Sequence, residues 1–128
     1  MRQTGSSDSD TTLQDLKDRV TAFRDERDWK QFHNPKDLAA AIAIEASELQ
    51  ELFLWKTPEQ ASSLNQDPVK REAISNELAD VLIFSLSLAD VLHIDLSAAV
   101  SAKIESNTAK YPVASSRSRS DKYTELES

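Results

Sequence analysis

The sequence contains no cysteine, which excludes disulfides, thiolate nucleophiles, Cys-ligated zinc and iron–sulfur clusters. It contains one glycine, Gly5, near the start of the chain. A glycine-rich phosphate loop therefore cannot be built, neither the P-loop nor the dinucleotide fingerprint. Positive charge is also scarce: 15 Lys and Arg stand against 22 Asp and Glu, a net charge of −7. Such a balance repels the phosphate backbone of nucleic acid. No apolar run reaches the ~20 residues of a membrane span, and no signal-peptide pattern is visible. These absences lead us to expect a cytoplasmic helical protein with no nucleic-acid or membrane partner. A length of 128 residues suits one domain with a modest core.

Residues 1–10 and 114–128 offer almost nothing apolar to bury and read as disordered tails, the second containing Ser-Ser-Arg-Ser-Arg-Ser. Between them, over residues 11–113, apolar residues recur with helical spacing and strand alternation is missing. Thr12 can cap a first helix carrying Leu13, Leu16, Val20 and Phe23, which the pattern ends near Trp29. Asn34-Pro35 starts a second helix that reaches about Lys56. Thr57-Pro58 opens a polar stretch with room for one short helical turn. A third helix spans about Val69 to His93. Asp95 caps a fourth, which runs to Tyr111 before Pro112. Four helices on short and medium connections predict an all-α, antiparallel bundle-like fold.

Acidic residues occupy places where apolar ones are expected. Leu38, Ala41, Ile42, Leu49 and Leu52 form the apolar stripe of the second helix, with Glu45 at its middle and Glu48 at its edge. Ala73, Ile74, Val81, Phe84 and Leu88 form the stripe of the third, with Glu77 and Asp80 in the same places. The two segments align at a constant offset, as an ancient helix repeat would. If the stripes face one another, four carboxylates converge. At an effective dielectric of ~20 and ~6 Å, each like-charge pair costs about 3 kcal/mol. Neither stripe carries a well-placed Lys or Arg to offset this. A divalent cation is the better answer, and an all-oxygen donor set favours Mg²⁺, with Mn²⁺ as a substitute. Di-iron chemistry needs Glu-x-x-His on two helices, and neither His33 nor His93 stands at that spacing. Glu26, Glu51, Glu59 and Glu72 read as ordinary solvated residues.

Three further groups stand out. Trp29, Phe32, His33 and Trp55 concentrate large aromatic surface beside the ends of the first two helices. Aromatic faces stack on nucleobases, although such a cluster also suits a core, the reading we prefer for Phe32. Lys56, beside Trp55, is a candidate phosphate or base contact. On the fourth helix, Lys103, Asn107 and Lys110 share a face at i, i+4, i+7. That face is either a phosphate-binding edge or simply solvated.

Glu45-x-x-Glu48, 28 further residues and then Glu77-x-x-Asp80 resembles the metal motif of the MazG-like all-α nucleotide pyrophosphohydrolases. Arg27-Asp28-Trp29, Phe32-His33, Leu52-Phe53-x-Trp55-Lys56, Glu77-Leu78-Ala79-Asp80 and Lys110-Tyr111-Pro112 are similar to the dCTP pyrophosphatase branch, over about Leu13 to Val113. The resemblance implies Mg²⁺-dependent hydrolysis of a (d)NTP, dCTP or a modified dCTP, to monophosphate and pyrophosphate, in nucleotide-pool cleaning. It implies that Glu45, Glu48, Glu77 and Asp80 are the metal ligands. Glu48 or Glu45 would activate the water. It also implies a base pocket of Trp29, His33 and Trp55, and phosphate contacts from Lys103, Asn107, Lys110 and Tyr111. Family members assemble as dimers or dimer-of-dimers tetramers, so a homo-oligomer is expected. Ile44 stands where many wider-family members carry an extra Glu, which leaves the metal count open. Two rivals stay open as well: a non-enzymatic helical interaction module, and the same chemistry on another nucleotide such as dUTP.

Overall fold

The computed structural model describes residues 6–117, and all regular structure among them is helical. The helices are α1 (Leu13–Glu26), α2 (Pro35–Glu51), α3 (Pro58–Ser63), α4 (Pro68–Val91), α5 (Leu96–Lys110) and α6 (Val113–Ser116). Turns of 3₁₀ helix lie at Lys30–Phe32 and Leu64–Gln66. The four long helices match the four expected. The tail expectation falls mostly on residues 1–5 and 118–128, which lie outside the described part. The chain forms two units, one ending at Ile94 with α1–α4 and one beginning at Asp95 with α5 and α6. Among the described residues, no single helix is long and apolar enough to cross a membrane.

The helix starts follow from side-chain chemistry. Thr12 and Asp15 form a reciprocal capping box: the Asp15 N–H donates to Thr12 Oγ1 and the Thr12 N–H to Asp15 Oδ2, both at 3.0 Å. Asn34, Asp67 and Asp95 accept backbone N–H groups in the same way, at 2.9–3.0 Å. Pro35, Pro58 and Pro68 occupy first-turn positions where a missing N–H is harmless.

The helix ends depart from the sequence reading, for a reason rooted in the scarcity of glycine. Helix α1 stops at Glu26 rather than near Trp29, because Asp28 takes the left-handed conformation at φ 54°. The Asp28 N–H then reaches the Asp25 carbonyl at 3.1 Å and the Trp29 N–H the Arg24 carbonyl at 3.0 Å, a Schellman closure made without glycine. His93, also at φ 54°, closes α4 in the same manner through Ile94 and Ala89. Helix α2 stops at Glu51 rather than Lys56. Successive turns follow it, and Trp55 sits at φ 64°.

Helix α4 is the spine of the first unit, with α2 and α1 packed against it. Leu38, Leu86 and Ala89 are the buried apolar residues among the described ones. Ser87, buried beside them, donates its hydroxyl to the Ile83 carbonyl at 3.0 Å, so its polarity is satisfied within the helix. Arg24 is the exception to an apolar interior. It is only 5% exposed, and it reaches Asp90 on α4 and Asp25 on its own helix, both at 2.9 Å. These partners hold its guanidinium above its usual pKa, Asp25 most strongly. The pair ties the end of α1 to α4. Replacing Arg24 with Met strands Asp90 beside the core, softened by that side chain's partial access to water. A loss of about 2 kcal/mol is expected in urea unfolding. An unchanged midpoint would show that the ion pair does not join the helices.

Candidate metal centre

Glu45 and Glu48 lie one turn apart on α2, as do Glu77 and Asp80 on α4. The packing of α2 on α4 turns the two acidic pairs toward each other. One carboxylate oxygen from each of Glu45, Glu48 and Glu77 lies within 4.8 Å of the other two. Asp80 stands outside that trio, yet its negative charge acts on Glu45. Glu45 and Glu77 are half-buried and Glu48 is exposed, so the cluster opens to solvent on the Glu48 side.

An ionised carboxylate only accepts hydrogen bonds, so facing carboxylates need a proton or a cation between them. Glu45 Oε2 and Glu77 Oε2 are both buried and have no hydrogen-bond partner. Burial pushes the Glu45 carboxyl up to about 7, helped by hydrogen bonding with Glu77 and Glu48 and by the charges of Glu48 and Asp80. Two ligand oxygens on one Mg²⁺ are separated by roughly 3–4 Å, from metal–oxygen distances of about 2.1 Å. The three oxygens need little adjustment to reach that spacing. Spacing, donor type and the two orphaned atoms all fit a hard divalent cation.

The other candidate residues are distributed as follows. Trp29 follows the Schellman turn that ends α1, with nearly half its surface exposed. His33 caps the 3₁₀ turn, and its Nδ1 is buried without a hydrogen-bond partner. Trp55 is 98% exposed in a left-handed backbone conformation unusual for so bulky a residue. Lys56 follows it, also exposed. On α5, Lys103, Asn107 and Lys110 are exposed, with Tyr111 at the helix end. One expectation is corrected. Phe32, read as core, is 64% exposed because the 3₁₀ turn carries it outward. Phe23, one of the apolar residues carried by the first helix, is 50% exposed. It borders an open groove with Leu16, Arg19, Val20 and Ile83. Arg27, which the sequence analysis quotes in Arg27-Asp28-Trp29 without giving it a role, lies against the Phe23 ring. The i, i+4 spacing of Phe23 and Arg27 was the available signal.

Among the described residues, all regular structure is helical, and the two longest helices present acidic pairs to one another. This chain belongs to the MazG-like family, whose model matches residues 40–126. It is similar to dCTP pyrophosphatase 1 of Homo sapiens, 44% identical over 115 residues, covering 90% of this chain and 68% of that protein. The Rattus norvegicus dCTP pyrophosphatase 1 is 43% identical with the same coverage. A solved pyrophosphatase of Archaeoglobus fulgidus DSM 4304 superposes with a TM-score of 0.73 at 35% identity, covering 87% of this chain and 99% of that one.

Glu45 links the cluster to pH. Its carboxyl titrates above the ordinary value, so between about pH 4.5 and 7 the folded chain holds a proton that the unfolded chain has released. Stability contributed by that proton is present at low pH and lost as pH rises through this window. In EDTA the melting temperature should therefore fall more steeply from pH 5 to 7 in the wild type than in Glu45→Gln. Equal slopes in the two proteins would contradict the crowded-carboxylate geometry.

Proposed function

We propose that this chain is a divalent-metal-dependent nucleoside triphosphate pyrophosphohydrolase. It converts dCTP, or a modified dCTP, and water to the monophosphate and pyrophosphate. One observation carries the chemistry: the Glu45, Glu48 and Glu77 oxygens converge with two buried lone-pair atoms unsatisfied. The choice of base follows from similarity to dCTP pyrophosphatase 1 over nine-tenths of the chain.

Glu45, Glu48, Glu77 and Asp80 would hold the cation, with Mg²⁺ the natural ion for these oxygen donors and Mn²⁺ a substitute. When bound, such an ion polarises the α-phosphate and offsets the charge of the departing pyrophosphate. Glu48, the exposed member of the trio, accepts a proton from the attacking water. The water oxygen bonds to the α-phosphorus, and the bond from that phosphorus to the α,β-bridging oxygen breaks. Glu45, deeper in the seam, serves as a ligand and keeps Glu48 oriented.

The remaining candidate residues divide by chemistry. Trp29 and Trp55 offer exposed ring surface for the base, and His33 offers its unpartnered Nδ1 to a polar edge. Lys56 adds charge beside Trp55. Lys103, Asn107, Lys110 and Tyr111 take the phosphate-binding role, on charge and shared helical spacing. A homo-oligomer, dimer or tetramer, belongs to the same reading. Leu78, Leu82 and Ile83 on α4 and Ile44 on α2 are each at least two-fifths exposed, more apolar surface than a solitary helical unit usually leaves wet. The setting is the cytoplasm, where the nucleotide pool lies.

Pyrophosphate release from a panel of NTPs and dNTPs, with Mg²⁺ and with EDTA, tests the reaction. Release from dCTP in Mg²⁺ alone is the expected result. Preference for dUTP would keep the chemistry and move the base assignment, and no release from any nucleotide would favour a non-enzymatic module. Glu48→Gln and Glu77→Gln should each lower kcat at least 100-fold with helical circular dichroism unchanged. Retained turnover in either would overturn the mechanism. Light scattering at micromolar concentration should give at least twice the chain mass, and a monomer would refute the assembly.

A further inference from the structure

Beyond the carboxylates, the end of α1 carries a second built cluster. The Arg27 guanidinium carbon lies 3.6 Å from the centroid of the Phe23 ring, a cation–π contact one helical turn apart. Arg27 Nη1 also donates to the Phe23 carbonyl at 2.9 Å and lies 3.5 Å from Glu26 Oε2. The guanidinium is thus held at three points. Phe23 meets Trp29 edge to face, with centroids 5.7 Å apart and planes at 73°. The same guanidinium stands 6.0 Å from the Trp29 ring.

The backbone of Trp29 is fixed separately. Its N–H is bound to the carbonyl of Arg24, the residue locked to Asp90, and the left-handed Asp28 makes that closure possible. Main chain and ring are therefore each restrained, although the residue remains 44% exposed. An exposed ring with no neighbours samples several rotamers and loses affinity when a ligand orders it. Phe23 and Arg27 remove that cost before the ligand arrives.

We propose that Phe23 and Arg27 are positioning residues for Trp29, holding its indole ready to stack on the planar base of the substrate. The proposal rests on the reading that Trp29 meets the base. It adds two residues outside the aromatic set and the metal motif. They act on affinity through Trp29 and do not touch the reacting phosphate.

Kinetics with dCTP on Trp29→Ala, Arg27→Met, Arg27→Lys and Phe23→Leu separate the outcomes. Arg27→Met should raise KM about 3- to 10-fold with kcat within twofold. Arg27→Lys, which keeps the cation over the ring, should recover much of the loss. The chain has two tryptophans, so in a Trp55→Phe background Trp29 is the sole indole. In that background, and without nucleotide, Arg27→Met should add a fast component to the Trp29 anisotropy decay. Should Trp29→Ala raise KM while Arg27→Met and Phe23→Leu leave KM and anisotropy unchanged, the positioning role is overturned and the base contact stands. Should Trp29→Ala leave KM unchanged, the base contact fails and the positioning role fails with it. Arg27 is partly exposed, so its variants fold; circular dichroism checks Phe23→Leu.

Discussion

Two carboxylates facing each other across a helix seam cannot both be ionised, dehydrated and unpartnered. The packing of α2 on α4 places Glu45 and Glu77 in that position, with Glu48 beside them and Asp80 adding its charge. A Leu or Ala in either place would give an unremarkable apolar seam. The chain instead keeps a site that is unfavourable until a cation or proton enters it, which couples the stability of this seam to its ligand. Under the proposed function, the same arrangement would let a chain of net charge −7 handle an anionic triphosphate, its acidic residues holding the cations that the substrate needs.

Near-absence of glycine shapes the rest of the first unit. Helix ends that commonly use glycine use Asp28 and His93 instead, and Trp55 takes a left-handed conformation after α2. Each such residue costs on the order of 1 kcal/mol relative to glycine, so its side chain or its precise turn is being retained against that cost. At Asp28 the consequence is visible, because the Schellman closure sets where Trp29 begins. At Trp55 a large apolar ring is held almost wholly in solvent. Arg24 and Asp90 complete this arrangement by fixing the end of α1 on the spine helix, so that the carboxylate seam and the aromatic turn share one rigid support.

Much of this was legible in the sequence. Thr12, Asn34-Pro35 and Asp95 announced helix starts because capping depends on local side chains. Glu45 and Glu77 marked the carboxylate cluster because a charge on an apolar stripe conflicts with the pattern around it. Helix ends were less legible. Left-handed conformations at Asp28 and Trp55 leave no local mark when glycine is absent, so periodicity alone carries α1 on to Trp29 and α2 to Lys56. The exposure of Phe23 and Phe32 was hidden for another reason: helical periodicity says which residues share a face, but not whether another element covers that face. The Arg24–Asp90 pair joins positions far apart in sequence, and no local pattern announces such a contact.

Calorimetric titration of EDTA-stripped protein with Mn²⁺ at pH 7, in buffers of different ionisation enthalpy, asks whether the α2–α4 carboxylates bind a cation. Binding should be accompanied by proton release, because Glu45 holds part of a proton at that pH until the cation displaces it. Both the binding and the released proton should be weakened in Glu45→Gln. No binding to the wild type, or binding that Glu45→Gln leaves unchanged, would contradict the assignment of the α2–α4 carboxylates as the metal centre.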